Sequence, residues 1–136
     1  MKAARQAYVG LTYIFLLGVV LQVFLAGVGI FGNFGDDLDP HRDFGFFAMH
    51  LIPLLIIVAS IVGKMRWTFI GLSVLLFAII VVQPIFLDPE DDDLSKWINA
   101  VHPTLAIVAF ALAHHLAQRS LRLVRGEATW GAEPVA

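Results

Sequence analysis

Two glutamine–histidine pairs with the same spacing stand out among the polar residues of the sequence. Gln22 precedes His41 by 19 residues, and Gln83 precedes His102 by 19 residues. Both glutamines lie in apolar segments, where an amide needs a polar partner, whereas His41 stands beside Arg42 and Asp43 and could alternatively be a solvated interfacial residue. Two facing neutral imidazoles are what low-spin haem b requires, because each one fills an axial position of the iron. The spacing therefore predicts a haem site with His41 and His102 as iron ligands.

The two pairs are part of an internal repeat with an offset of 61 residues. The matched segments read VVLQVFLAGVG…LDPHRDFGFF and IVVQPIFLDPE…NAVHPTLAIVAF, and the offset also places Gly45 on Ala106. A duplicated helical hairpin would relate the halves by a pseudo-twofold axis along the membrane normal and bring both histidines to the same depth. The alternative is a chance match, since hydrophobic helices align readily.

Other polar residues are candidates for orienting or retaining the group. Gln22 and Gln83 would hydrogen-bond an axial imidazole or a haem propionate, and Arg42 would pair with a propionate at the wet end of the site. The alternative for each glutamine is an interhelical hydrogen bond that only holds the bundle together.

His50 is the alternative axial ligand. It follows His41 by nine residues, which is about half a turn around a helix, so the two cannot face one haem from the same side. His50 is deeper, but the repeat favours His41 because the position matching His50 is Ala111. His114 and His115 are interpreted as structural residues near the membrane interface.

One face of the fourth apolar segment carries small residues below its histidine. His102, Ala106, Ala109 and Ala113 are spaced by four, three and four residues and so share one helix face. Small side chains there leave room for a flat macrocycle. The alternative is that they only allow close helix packing.

Four apolar blocks must position these residues. The chain has 136 residues, of which 59% are hydrophobic and only 15% are charged, too few charges for an ordinary soluble domain. Helices are predicted over about 8–31, 40–63, 67–87 and 96–118, each long enough to cross a bilayer. The predicted fold class is all-α: an integral membrane four-helix bundle built from two tandem helical hairpins, residues 1–118, surrounded by lipid.

Charge predicts the orientation of the bundle. If the helices alternate in direction, one face collects most cations and the other collects the acidic residues. The cations are Lys2, Arg5, Lys64, Arg66, Arg119, Arg122 and Arg125. By the positive-inside rule both termini are cytoplasmic. Residues 119–136 are expected to form a short basic, disordered tail.

Composition excludes several classes of function. A net charge of −2 cannot support binding to nucleic acid, and the absence of cysteine excludes disulfides, iron–sulfur clusters and thiolate zinc sites. The sequence has no nucleophile with a base, phosphate-binding glycine loop or paired intramembrane carboxylates, which favours a protein that is not an enzyme.

The chain resembles small four-helix bacterial membrane proteins of an uncharacterised family, with Gln22, the DPHRDFG stretch around His41, Gln83 and the pair His102-Pro103 as landmarks. It also resembles one four-helix half of haem A synthase, which implies that His41 and His102 are the axial pair. The loop cysteines and the acidic residue before the histidine are absent, with Leu38 at the place of the carboxylate. The resemblance thus implies haem binding and does not extend to haem hydroxylation.

Two hypotheses of function follow. The first is a membrane protein with one haem b near the extracytoplasmic face, acting in electron transfer with a redox partner or in haem handling. The second is a cofactor-free structural or accessory subunit that docks onto a larger membrane complex.

Overall fold

The computed structural model describes residues 1–32, 38–87 and 97–127 and is all-α in these ranges, with no strand among them. Its four α-helices are α1 (Lys2–Phe31), α2 (Asp39–Val62), α3 (Trp67–Val82) and α4 (Val101–Val124). A short 3₁₀ turn, Gln83–Phe86, follows α3. The prediction of an all-α, four-helix protein is confirmed.

All four helical segments are long and apolar enough to cross a membrane. They run over Lys2–Phe31, Asp39–Val62, Trp67–Phe86 and Trp97–Val124. The shortest has 20 residues, which spans about 30 Å at 1.5 Å per residue. Large apolar side chains cover the outside of the bundle, among them Leu17, Phe24, Leu54, Ile61, Leu75 and Ile107. A surface of this kind suits lipid and indicates a multi-pass membrane protein.

The helices form a ring in which each one packs against two others. α1 packs against α2 and α4, and α3 packs against the same two helices, so α2 and α4 lie diagonally across the bundle. We call the end that carries Gln22, His41, Gln83 and His102 the histidine end. The opposite end, with Arg5 and Gly63, is called the arginine end.

The best-packed part of the core lies towards the arginine end. Its fully buried large side chains include Tyr8, Phe15, Ile56, Phe69, Leu76 and Leu116. Two polar contacts join the helices there: the Tyr8 hydroxyl lies 3.0 Å from Ser73 Oγ, and Arg5 Nε donates to the Gly63 carbonyl over 2.9 Å. These contacts hold the helix ends that lie opposite the histidines.

Helix boundaries differ from the predicted ones at four places, one of which is the start of α4 at Val101 where about residue 96 was predicted. α4 continues to Val124, beyond residue 118, because Ser120 and Leu123 remain buried and extend its inward face. α1 already begins at Lys2, and α3 ends at Val82, where Pro84 cannot supply the N–H that the next helical turn needs. The acidic stretches 33–37 and 88–96 and the end of the predicted tail, 128–136, lie outside the described residues.

Candidate functional site

The structure brings His41 and His102 together across the bundle. His41 belongs to the first turn of α2 and His102 to the first turn of α4, and both are partly buried. Their ring centroids are 6.2 Å apart, with the ring planes inclined at 66°. Two residues separated by 61 positions thus meet at the histidine end, although their helices are not direct neighbours in the ring.

Each histidine is bound to the backbone of the glutamine that precedes it by 19 residues. His41 Nδ1 lies 3.0 Å from the Gln22 carbonyl oxygen, and His102 Nδ1 lies 3.2 Å from the Gln83 carbonyl oxygen. A carbonyl only accepts hydrogen bonds, so each Nδ1 carries the proton and each Nε2 carries a lone pair. This tautomer presents Nε2 as the ligand atom. At a separation of 19 residues, the imidazole at the start of one helix therefore contacts the glutamine carbonyl in the preceding helical segment.

The two Nε2 atoms differ in their partners. Gln83 Nε2 lies 3.3 Å from His102 Nε2, so the amide donates to the imidazole lone pair. His41 Nε2 has no hydrogen-bond partner among residues 1–32, 38–87 and 97–127. In the described structure, the lone pair of His41 is available and that of His102 is engaged.

The Gln22 side chain lies against the backbone of α2 at Gly45. A Cβ atom at residue 45 would come within 2.6 Å of Gln22 Nε2, so this approach requires glycine. Gln22 Oε1 is buried and has no hydrogen-bond partner in the described part of the chain. In the repeat, the position of Gly45 is taken by Ala106.

The two accepting carbonyls also differ. α1 continues through Phe31, so the Gln22 carbonyl accepts its helical bond and uses its second lone pair for His41. α3 ends before Gln83, and the Leu87 N–H bonds to the Pro84 carbonyl at 3.1 Å. Gln83 begins the 3₁₀ turn Gln83–Phe86, so its carbonyl accepts the i→i+3 bond of that turn as well as the bond from His102.

The remaining predicted residues lie elsewhere. His50 Nδ1 is bound to the Gly45 carbonyl at 2.9 Å, and its ring contacts Phe46 at the surface of α2. Arg42 is 71% exposed in its side chain and pairs with Asp39 at 3.4 Å, a weak interaction at such exposure. His114 and His115 are exposed on α4.

Most of the small-residue face of α4, formed by Ala106, Ala109 and Ala113, is packed against other helices. Ala109 and Ala113 are completely buried, so no space that admits even a water molecule touches them. Ala106 is partly buried, at the level of the histidines. The close approach of helices explains the two deeper alanines, and room for a flat macrocycle is not found beside them.

The two imidazoles offer donor atoms of the kind that haem iron takes from a protein. Among the described residues no three His, Asp or Glu side chains converge into a metal-binding group. A bare zinc ion takes three or four protein ligands, whereas haem iron takes axial ligands from the protein and its other nitrogens from the porphyrin. Two imidazoles with Nδ1 bound to carbonyls and Nε2 carrying the lone pair therefore fit an axial pair.

Sequence reasoning found both histidines and both glutamines but only part of how they bind. The predicted bond from a glutamine side chain is present in Gln83, whose amide donates to His102 Nε2, but the backbone carbonyl that accepts from Nδ1 in both pairs was not foreseen. Sequence reasoning also missed Gly45 as the contact of Gln22. The pairing of Gly45 with Ala106 in the repeat was the available signal.

Residues 22–87 match the model of a family described as "Family of unknown function (DUF6220)". The matched segment contains Gln22, His41 and Gln83 and ends before His102. No curated protein and no solved structure matches the chain.

Proposed function

We propose that the protein binds one haem b at the histidine end, with His41 and His102 as the axial ligands, and acts in electron transfer or haem handling. One observation carries the proposal: two imidazoles from different helices lie 6.2 Å apart, and each has its Nδ1 hydrogen-bonded to a carbonyl. Each ring offers Nε2 as its ligand atom, so the two residues would hold one iron between α2 and α4.

The carbonyl bonds explain what the surrounding residues do. An Nδ1–H donated to a carbonyl fixes the tautomer, orients the ring and makes Nε2 a better electron donor. His102 becomes a ligand only when the Gln83 amide releases its Nε2. Arg42, exposed beside His41, is the cation available to a propionate. Haem itself would supply one-electron redox chemistry.

The finer topology is part of the same proposal. The bundle consists of two tandem hairpins in a bacterial inner membrane, with both termini in the cytoplasm, because the cations collect at the arginine end. Asp43 and Lys64 are both exposed and lie at opposite ends of α2. Single cysteines at these two positions should react with an impermeant reagent from opposite sides of the membrane. Reaction of both from one side would refute this topology.

A cofactor-free structural or accessory subunit is the second candidate. It is supported by the Gln83 amide, which already satisfies His102 Nε2, and by the complete burial of Ala109 and Ala113. In this case the paired histidines would only join the helices at the histidine end, and the protein would dock onto a larger membrane complex.

A visible spectrum decides between the two candidates. Protein produced with ample haem should show a low-spin Soret band, and His41→Ala and His102→Ala should each abolish it. His115→Ala, which alters an exposed histidine of the same helix as His102, is the matched control and should keep the band. His50→Ala should also keep it, and its loss there would make His50 the ligand. Absence of a Soret band in the unaltered protein would refute haem binding and leave the accessory subunit.

A further inference from the structure

His50 lies in the middle of α2, away from the pair formed by His41 and His102. It is separated from His41 by nine residues, which is about 13 Å along the helix axis. α2 runs over Asp39–Val62, so His50 is close to its centre and to the middle of the hydrocarbon layer. An imidazole at this depth is costly and marks a functional site more often than a structural one.

The hydrogen bonding of His50 fixes which chemistry its free nitrogen can perform. Nδ1 lies 2.9 Å from the Gly45 carbonyl oxygen and therefore donates its proton to it. Nε2 then carries a lone pair and can only accept. Within residues 1–32, 38–87 and 97–127, no donor is hydrogen-bonded to this atom. A donor from another molecule is needed to satisfy it.

His50 lies in an apolar groove on the outside of the bundle, between α2 and α3. The groove is shallow and open to the outside of the bundle, with a volume of about 590 Å³. Its walls include Phe46, Phe47, Leu51, Leu54 and Phe77. Phe46 contacts the imidazole with ring centroids 5.8 Å apart. Three phenylalanine rings and one hydrogen-bond acceptor thus line the same groove.

We propose that this groove binds a lipid-soluble hydroquinone, whose phenolic hydroxyl donates a hydrogen bond to His50 Nε2. Acyl chains bring no donor to the groove, and water is scarce at this depth. A flat aromatic ring packs well against phenylalanine rings, and its hydroxyl supplies the donor that the histidine lacks. The oxidised quinone has only carbonyl acceptors, so the site distinguishes the reduced form from the oxidised form.

The haem proposal is not needed for this inference, because the groove and the histidine pair use different residues. The test uses the full chain, with ¹⁵N-labelled histidine, in phosphatidylcholine nanodiscs. The probes are decyl hydroquinone, kept reduced by dithionite, and its dimethyl ether, which has the same ring without a donor. We expect the hydroquinone to shift the His50 Nε2 resonance saturably and to bind roughly threefold to tenfold more tightly than the ether.

Two variants and one control separate the hydrogen bond from the shape of the groove. His50→Phe should make hydroquinone and ether bind equally. Leu54→Trp should fill the groove and weaken both probes, while the His50 resonance stays that of the folded protein. His115→Phe, an exposed histidine on α4, should change neither. For all three variants, binding of the hydroquinone and of the ether is measured through ¹⁹F labels on the probes.

Three results would overturn the proposal. The first is equal binding of the two probes to the unaltered protein, since no hydrogen bond would then be involved. The second is a preference for hydroquinone that persists in His50→Phe. The third is a shift of His50 Nε2 that follows the protein-to-lipid ratio without any probe, which would make a second copy of the chain the occupant of the groove.

Discussion

The helix pairs α1–α2 and α3–α4 each contain one glutamine and one histidine at the same spacing, but the two local structures differ. In both pairs a histidine donates through Nδ1 to the carbonyl of the glutamine 19 residues earlier. In α3–α4 the glutamine amide also binds the imidazole, whereas in α1–α2 it lies against Gly45. The backbone bond is therefore the shared feature, and the side-chain bond is formed only in α3–α4.

The difference makes the two imidazoles unequal in their hydrogen bonding. His41 has an unengaged Nε2 in the described structure, whereas His102 shares its Nε2 with an amide. If both imidazoles bind one iron, as proposed, His102 must exchange partners and His41 need not. The following four experiments test this asymmetry, starting from the largest expected effect.

The variants Val23→Pro and Pro84→Val test whether the α-helix continues past Gln22 and ends at Gln83. In Val23→Pro we expect the free energy of unfolding to fall by about 3 kcal/mol, because proline removes a hydrogen bond inside the continuous α1. Val23 is 65% exposed, so little packing is lost. Pro84→Val, where the helix already ends, should change it by less than about 1 kcal/mol. Reversible unfolding in mixed micelles, followed by circular dichroism, measures both, and equal losses would contradict the distinction.

Replacing each histidine by phenylalanine in haem-free protein measures how much stability is lost when its hydrogen-bond partners are left unsatisfied. His102→Phe deprives both the carbonyl and the amide of Gln83 of a partner, at a cost of about 1–3 kcal/mol. His41→Phe leaves the Gln22 carbonyl with its helical bond and should cost about 0.5–1.5 kcal/mol. The same unfolding assay ranks them. A larger loss for His41→Phe would show that its imidazole has partners beyond Gln22.

Substitutions at the matched small residues test what directs the amides. In Gly45→Ala the new methyl group must displace the Gln22 amide, and we expect the amide to turn to His41 Nε2, as Gln83 does to His102. Since the displaced atom ends a flexible side chain, stability should change by less than about 1 kcal/mol. ¹⁵N resonances of His41 should move towards those of His102. Ala106→Gly is the reciprocal control, and unchanged His41 resonances in Gly45→Ala would contradict the explanation.

Arg42 has no matching cation in the second half of the repeat, where Pro103 takes its position. Arg42→Gln should leave the stability of haem-free protein within about 0.5 kcal/mol, since its pair with Asp39 is exposed. If a propionate lies beside it, haem loss to apomyoglobin should become several-fold faster while the low-spin spectrum is kept. An unchanged rate of haem loss would remove Arg42 from the proposed site.

The amino-acid sequence by itself determined the number of helices and the identity of the paired histidines. Four apolar blocks of spanning length leave few alternatives to four helices, and burial of polar residues between them requires partners. The offset of 61 residues placed His41 opposite His102, as the structure has them. Helix ends were less predictable: the boundary after residue 118 was missed because the buried Ser120 and Leu123 stand among cations in the sequence.

Only the tertiary structure decided which atoms meet. The direction of the Gln22 amide depends on a missing Cβ on another helix, and the tautomer of His50 depends on a carbonyl that its own helix presents to it. Packing also decided that Ala109 and Ala113 are fully enclosed, which their spacing allowed but did not require. Spacing along a chain specifies which residues share a helix face, whereas hydrogen bonds and cavities depend on shifts of about 1 Å between helices that no residue pattern encodes.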